Sequence, residues 1–146
     1  MAELKAGKDY VGVGVGAIVV NDAGQVFLSQ RGAKATNERG AWEFPGGKVD
    51  FGETLQATLK REFMEEYGMT IEIIELLSVD DHILEDEGQH WVSPTYIARA
   101  IDANPQILEP HKCSAIGWFD IDDLPTPLSL ITQYNVRDYV EKLRDR

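Results

Sequence analysis

Positive charge is scarce in this chain: 14 Lys and Arg stand against 25 Asp and Glu, a formal net charge of −11 at pH 7. A surface that grips a nucleic-acid backbone needs a basic footprint, so binding to a nucleic-acid polymer is not expected. A small phosphate-bearing ligand stays allowed, because a bound cation reverses the local sign. Cysteine is nearly missing as well. Cys113 stands alone, which rules out an intramolecular disulfide and fits a reducing, cytoplasmic setting. With no evident activating partner, it reads as a small buried side chain. The histidines, His82, His90 and His111, lack the close spacing of a zinc site. Long apolar runs are absent too: the first nine residues are mixed and charged, and glycines interrupt the apolar stretch that follows. Neither a signal peptide nor a membrane span is expected. What is present is ordinary for a soluble globular protein, 43% apolar residues in 146, a length that suits one domain across residues 1–146.

The local patterns alternate between strand and helix signals. Tyr10 to Val20 is β-branched and glycine-interrupted, a strand whose glycines admit close backbone neighbours. Asn21-Asp22-Ala23-Gly24 turns the chain, and Gln25 to Gln30 returns as the second strand of a hairpin. Arg31 to Gly40 is polar and aperiodic, a surface loop. Trp42 and Phe44 alternate with Glu43 as on a half-buried strand, before Pro45-Gly46-Gly47 bends the chain. Thr70 to Val79 reads as a strand with Ile71, Ile73 and the Leu76 to Val79 stretch buried, Asp80 to Gln89 as a connecting loop, and His90 to Ala100 as a further strand. Pro94 within it suggests an edge position or a bulge. A short strand over Ser114 to Phe119 and an amphipathic helix over Leu128 to Leu143 complete the chain. Periodicity supports mixed α and β.

The informative stretch lies between Thr54 and Gly68. It contains no Pro or Gly until Gly68, which tolerates positive φ and ends the helix. Leu55, Leu59 and Phe63 recur every four residues and form one apolar stripe. Glu62, Glu65 and Glu66 share a face by their i, i+3, i+4 spacing. In projection Glu66 falls between Leu55 and Leu59, with Glu62 just beside Leu55. The carboxylates therefore continue the buried stripe, whereas an ordinary solvated helix carries them opposite it. They also sit at the negative end of the helix dipole. Two remedies exist: the acids take up protons, or a divalent cation neutralises them. An all-oxygen set suits Mg²⁺, Mn²⁺ or Ca²⁺. A charged helix end with Arg61 paired to Glu65 accounts for Arg61 but not for the placement of Glu62 and Glu66. Glycine at 47 has a use here, since its carbonyl can approach a metal closely. Glu53, near the helix start, is favoured by the dipole and reads as a cap.

Gly47, five residues, Glu53, seven residues, then Arg61-Glu62-Phe63-Met64-Glu65-Glu66-Tyr67-Gly68-Met69 resembles a complete Nudix box. Phe63 stands where the family more often has an aliphatic residue. The resemblance implies an α/β fold in which a mixed β-sheet is sandwiched between helices (an α-β-α sandwich). It implies hydrolysis of a nucleoside diphosphate linked to another moiety, with Mg²⁺ or Mn²⁺ held by Glu62, Glu65 and Glu66 and by the Gly47 carbonyl. Glu62 and Glu66 are the candidates for the base, with Glu109 a weaker one, and Glu53 would hold Arg61 or join the metal cluster. The Glu109-Pro110-His111-Lys112-Cys113 stretch leading to Trp118-Phe119 is similar to the corresponding part of MutT-like nucleotide hydrolases. Such relatives carry a further metal-site acid in this loop. His111 occupies its place here, and Glu109 is the nearest substitute.

The substrate follows by the same resemblance: first a (deoxy)nucleoside triphosphate cleaved to monophosphate and pyrophosphate. The alternatives are ADP-ribose or another nucleotide sugar, a dinucleoside polyphosphate, or a noncatalytic nucleotide sensor on the same fold. Arg31 either reaches a substrate phosphate or pairs with an acid, the pairing being the default. Trp91 and Trp118, with Trp42 and Tyr96, offer faces on which a base could stack, or serve as core. The expected partner is a small nucleotide, with no membrane, and the protein is a monomer or a homodimer, as both occur among relatives.

Overall fold

A computed structural model describes residues 3–102 and 104–145. Its strands are β1 (Gly12–Val20), β2 (Val26–Arg31), β3 (Trp42–Glu43), β4 (Gly46–Lys48), β5 (Ile71–Leu84), β6 (Gln89–Ala100) and β7 (Cys113–Phe119). The helices are α1 (Leu55–Tyr67) and α2 (Leu130–Arg144). All the strands belong to one mixed sheet, in the order β3-β2-β1-β6-β5, with β4 also on β1 and β7 also on β2. The hairpin β1–β2 is paired at Val20 and Val26 and then forks. Into the fork goes the segment from Trp42 to Lys48: β3 pairs with β2, and β4 pairs with β1 through Gly14–Lys48, Val15–Gly47 and Gly16–Gly46. On the other side β6 runs parallel to β1, and β5 lies antiparallel on β6.

Because side chains alternate along a strand, the two faces of this sheet make two cores. Val15, Ala17, Val19 and Phe27 pack under Leu59, Phe63 and Tyr67 of α1, whereas Ile18, Val26, Leu28, Phe44 and Ile97 pack against Tyr139 and Val136 of α2. A mixed sheet between two helices results. Leu59 and Phe63 are fully enclosed, and each such side chain contributes about 1.5–3 kcal/mol. Both helices start on a hydroxyl cap: Thr54 accepts the Ala57 N–H and Ser129 that of Thr132. Gly68, at φ 64°, ends α1 by returning its N–H to the Met64 carbonyl.

Several expectations need correction. Asp80 to Gln89 is not a loop; β5 continues to Leu84, and only a 3₁₀ turn over Glu85–Glu87 and Gly88 separates it from β6. This end of the ribbon is polar and carries little hydrophobic alternation to read. Of the Leu76 to Val79 stretch, Leu77 packs against the core under α2, whereas Leu76 and Val79 are exposed, at 49% and 57%. Pro94 is not on an edge strand, since β6 lies between β1 and β5. It does face Val79, next to the register shift between Leu76 and Ser78, so the bulge part of the expectation holds. The buried face of α2 runs through Thr132, Asn135 and Tyr139 rather than through the apolar stripe alone. Thr132 is tolerated there because its hydroxyl bonds Ser129 at 2.7 Å and accepts the Phe44 N–H. The polar loop from Arg31 to Gly40 is anchored: Asn37 is buried on Gln89, and Glu38, at φ 42°, accepts the Leu130 N–H at 2.7 Å. No helix among the described residues is long and apolar enough to cross a membrane.

The β1–β4 contact leaves no room for a side chain at Gly46. A Cβ there would lie 1.8 Å from the Val15 carbonyl oxygen, a backbone atom that cannot swing away. Gly46→Ala is therefore expected to lower stability by about 3 kcal/mol, the upper end of ordinary overpacking. Urea unfolding checks it, and a loss below about 0.5 kcal/mol would contradict so close an approach.

Candidate active site

Arg61 is the organising cation. It lies on the exposed flank of α1 and gives Nε and Nη2 to the two carboxylate oxygens of Glu53, both at 2.8 Å. Its Nη1 reaches Glu62 at 3.0 Å and Glu65 at 3.3 Å, and Asp50 stands 3.6 Å from Nη2. The fork-on-fork bond holds the Glu53 carboxyl far below its usual range, at about 2, and raises the already high Arg61. Glu53 thus clamps Arg61, while the N-cap belongs to Thr54.

Glu62 is buried, and its carboxyl group lies against Gly47. A Cβ on residue 47 would come within 2.4 Å of the Glu62 carboxyl carbon. This contact exists because β4 carries Gly47 opposite Val15, on the side of the sheet that α1 covers. Burial pushes the Glu62 carboxyl up, and the Arg61 charge and hydrogen bond oppose it. Glu66, one turn further along, has no such arginine. Burial pushes its carboxyl up to about 8, reinforced by the charges of Glu62, Glu43 and Glu109 and opposed by Lys112. Glu65 stands outward, its side chain 53% exposed and bonded to Arg61.

The structure therefore brings together Gly47, Glu53, Arg61, Glu62 and Glu66, with Glu109 close enough for its charge to act on Glu66. Glu65 is linked only through Arg61. Among the described residues, no three Asp, Glu, His or Cys side chains already converge as a finished metal-ligand set. The donor chemistry nevertheless fits a hard divalent cation. Every candidate is an oxygen, the backbone at Gly47 carries no side chain, and one oxygen of Glu109 is buried with no hydrogen-bond partner.

Arg31 is committed to an acid: Nη1 sits 3.1 Å from both oxygens of Glu43, and Nε donates to the Asn37 carbonyl. Trp118 packs against Phe27, with ring centroids 5.2 Å apart, in the core beneath α1. Trp91 covers Gly7 and Gly12, and its indole N–H donates to Gln89. Trp42 meets Phe119 edge-on within the α2 core. Sequence reasoning passed over Glu43 and Lys112 as members of the constellation. A strand position between Trp42 and Phe44 looked merely outward-facing, and only the alternation of faces would have shown Glu43 on the same side as α1.

A family model described as the NUDIX domain matches residues 11–139. The chain belongs to the Nudix hydrolase family. A MutT NUDIX hydrolase from Burkholderia pseudomallei is similar in structure, with a TM-score of 0.80 and 42% identity, covering 87% of this chain and 96% of the other. The 8-oxo-dGDP phosphatase NUDT18 of Mus musculus is 31% identical over 120 residues, 77% of this chain but 33% of that protein. An RNA pyrophosphohydrolase of Novosphingobium aromaticivorans is 28% identical over 149 residues, covering 90% of this chain and 91% of the relative. The chain spans about a third of the length of the first curated relatives that it matches. The matched span includes Gly47 to Met69, the stretch that carries the Arg61 clamp and the Glu62 carboxyl against Gly47.

The raised Glu66 carboxyl has a consequence for stability. Its value moves from an ordinary 4.5 to about 8 in the folded protein, so between these values the native state holds a proton that the unfolded chain has lost. Folding is then progressively weakened as pH rises through this window in metal-free solution. Removing the charge with Glu66→Gln should flatten that loss. In urea titrations with a chelator present, the variant's stability relative to the parent should climb from pH 5 to pH 8.5; parallel curves would contradict the burial of this acid.

Proposed function

We propose that the protein is a Mg²⁺-dependent pyrophosphohydrolase that cleaves a (deoxy)nucleoside triphosphate to a monophosphate and pyrophosphate. The observation that carries this reading is the charge imbalance at the end of α1: Glu62 is pressed against Gly47, Glu66 follows one turn on, and Arg61 is shared among four acids without reaching Glu66. A divalent cation is the neutraliser such a site accepts, with Mn²⁺ as the substitute. Glu62, Glu66 and the Gly47 carbonyl would hold it, with Glu109 or the outward Glu65 completing the set. When bound, the cation draws charge from the phosphate oxygens and lowers the pKa of water.

The chain's own groups do the rest. Glu66, the acid at the end of α1 that Arg61 does not reach, accepts the proton of the water that attacks phosphorus. The bond from that phosphorus to the bridging oxygen breaks in line, and pyrophosphate leaves. Glu53 keeps Arg61 in one orientation, and Arg61 in turn keeps Glu62 pointed at Gly47. The family membership, the 42% identity to a MutT hydrolase and the dGDP phosphatase among the relatives support a nucleotide substrate. The net charge of −11 favours a small nucleotide over a polymer. The free, buried Cys113, with its thiol pushed up by burial, suits a reducing compartment such as the cytoplasm.

A nucleotide panel assayed for pyrophosphate and phosphate release, with and without Mg²⁺, tests this proposal. Triphosphates should give pyrophosphate and a monophosphate only when Mg²⁺ is present. Preferred cleavage of ADP-ribose or a dinucleoside polyphosphate would move the substrate class, and tight binding with no release from any member would indicate a sensor. Glu66→Gln should lower kcat by about 10²–10⁴ with the fold retained. Activity near that of the parent would remove Glu66 from the reaction.

A further inference from the structure

Two lysines near the acidic cluster are held loosely, Lys48 at 4.0 Å from Asp50 and Lys112, and of these Lys112 lies beside the carboxylates at the end of α1. Arg61 is engaged by Asp50, Glu53, Glu62 and Glu65, and Arg31 by Glu43 and the Asn37 carbonyl. Lys112 differs. Its Nζ lies 3.6 Å from Glu109 Oε1, too far for a good hydrogen bond, and that buried oxygen has no other partner. Its charge nonetheless favours the ionised forms of both Glu62 and Glu66.

The backbone beneath Lys112 is fixed. Gln106 and Leu108 donate their N–H groups to the carbonyls of Tyr67 and Glu66, both at 3.0 Å, so this loop docks on the C-terminal end of α1. Lys112 donates its own N–H to Glu109, and its carbonyl accepts the Gly32 N–H at 3.0 Å. A Cβ at Gly32 would press within 3.2 Å of the His111 and Lys112 backbone, which is why the end of β2 can lie so close. The result is a firm base carrying a flexible side chain that is half-exposed.

We propose that Lys112 has two positions: on the Glu109 carboxylate, beside the Glu66 end of α1, while no cation is bound, and on an oxygen of the substrate's phosphate chain once a divalent ion takes its place. Two positive groups cannot occupy the same carboxylates, and an ammonium on a four-carbon stem is the side chain suited to swing between acceptors. The proposal rests on the metal-dependent pyrophosphohydrolase reading, but its test does not require turnover.

Calorimetry on the full chain separates the cases, using Mn²⁺ alone and then inorganic tripolyphosphate added to the Mn²⁺-saturated protein. Lys112→Met keeps the apolar stem and removes the charge. It should bind Mn²⁺ as tightly as the parent or about threefold more tightly, because a competitor is gone, and should bind tripolyphosphate about tenfold more weakly. Lys112→Arg should recover most of the tripolyphosphate affinity. A Lys112→Met variant that binds Mn²⁺ more weakly, or binds tripolyphosphate unchanged, overturns the proposal. Since neither measurement involves hydrolysis, a protein inactive on every nucleotide would refute the proposed reaction while leaving this result readable.

Discussion

The burial of carboxylates at the negative end of α1 is the constraint from which the rest of the site follows. Removing a carboxylate from water costs several kcal/mol unless something replaces the hydration. At Glu62 the replacement is Arg61, a planar donor that Glu53 clamps from the other end of the helix. At Glu66 there is none of comparable strength, and the structure meets the deficit by raising the affinity of that carboxyl for a proton. A proton and a divalent ion are alternative solutions to the same electrostatic problem. A site tuned to hold the first loosely near neutral pH can also exchange it for the second.

The sheet explains why the problem is tolerated at all. If β1 and β2 stayed paired along their length, the segment from Trp42 to Lys48 would have no place between them. The fork admits β3 and β4, and it brings Gly47 to the face that α1 covers. Glycine at 46 permits the approach to β1, and glycine at 47 leaves the space that the Glu62 carboxyl occupies. The two adjacent glycines therefore answer two different steric demands, one from backbone and one from a functional side chain. Arg31 and Glu43 then tie β2 to β3 at the fork, next to the acids but facing one another.

Much of this was legible in the residues. The i, i+3, i+4 acids lying along the apolar stripe forecast the buried Glu62, and the Gly68 stop and the end of α1 at Tyr67 agree with the observed helix. The forked sheet was not legible, because pairing between strands distant in sequence leaves no local trace in a stretch as short as β4. The β5–β6 ribbon was misread for a related reason: it projects past its helical cover, so its polar residues resemble a loop. Glu43 was overlooked because a single charged residue between two aromatics is equally compatible with solvent and with an ion pair inside the fold. Lys112 escaped notice because its importance comes from Glu62 and Glu66, which are some fifty residues away in sequence.

Glu38 shows how far the same logic extends beyond the box. It adopts a left-handed backbone conformation uncommon for a side-chain-bearing residue, and such strain persists only where surrounding contacts hold it. Here the contacts are the Leu130 N–H at the start of α2 and His82 on β5, 3.0 Å from the carboxylate. Arg31 donates to the neighbouring Asn37 carbonyl while clamping Glu43, so one arginine joins loop and sheet while Glu38 joins the loop to the second helix. The charge of Glu38 is felt at Glu43, and that of Glu43 at Glu66. The loop before β3 therefore meets the proposed base through Glu43, the acid that Arg31 clamps between them.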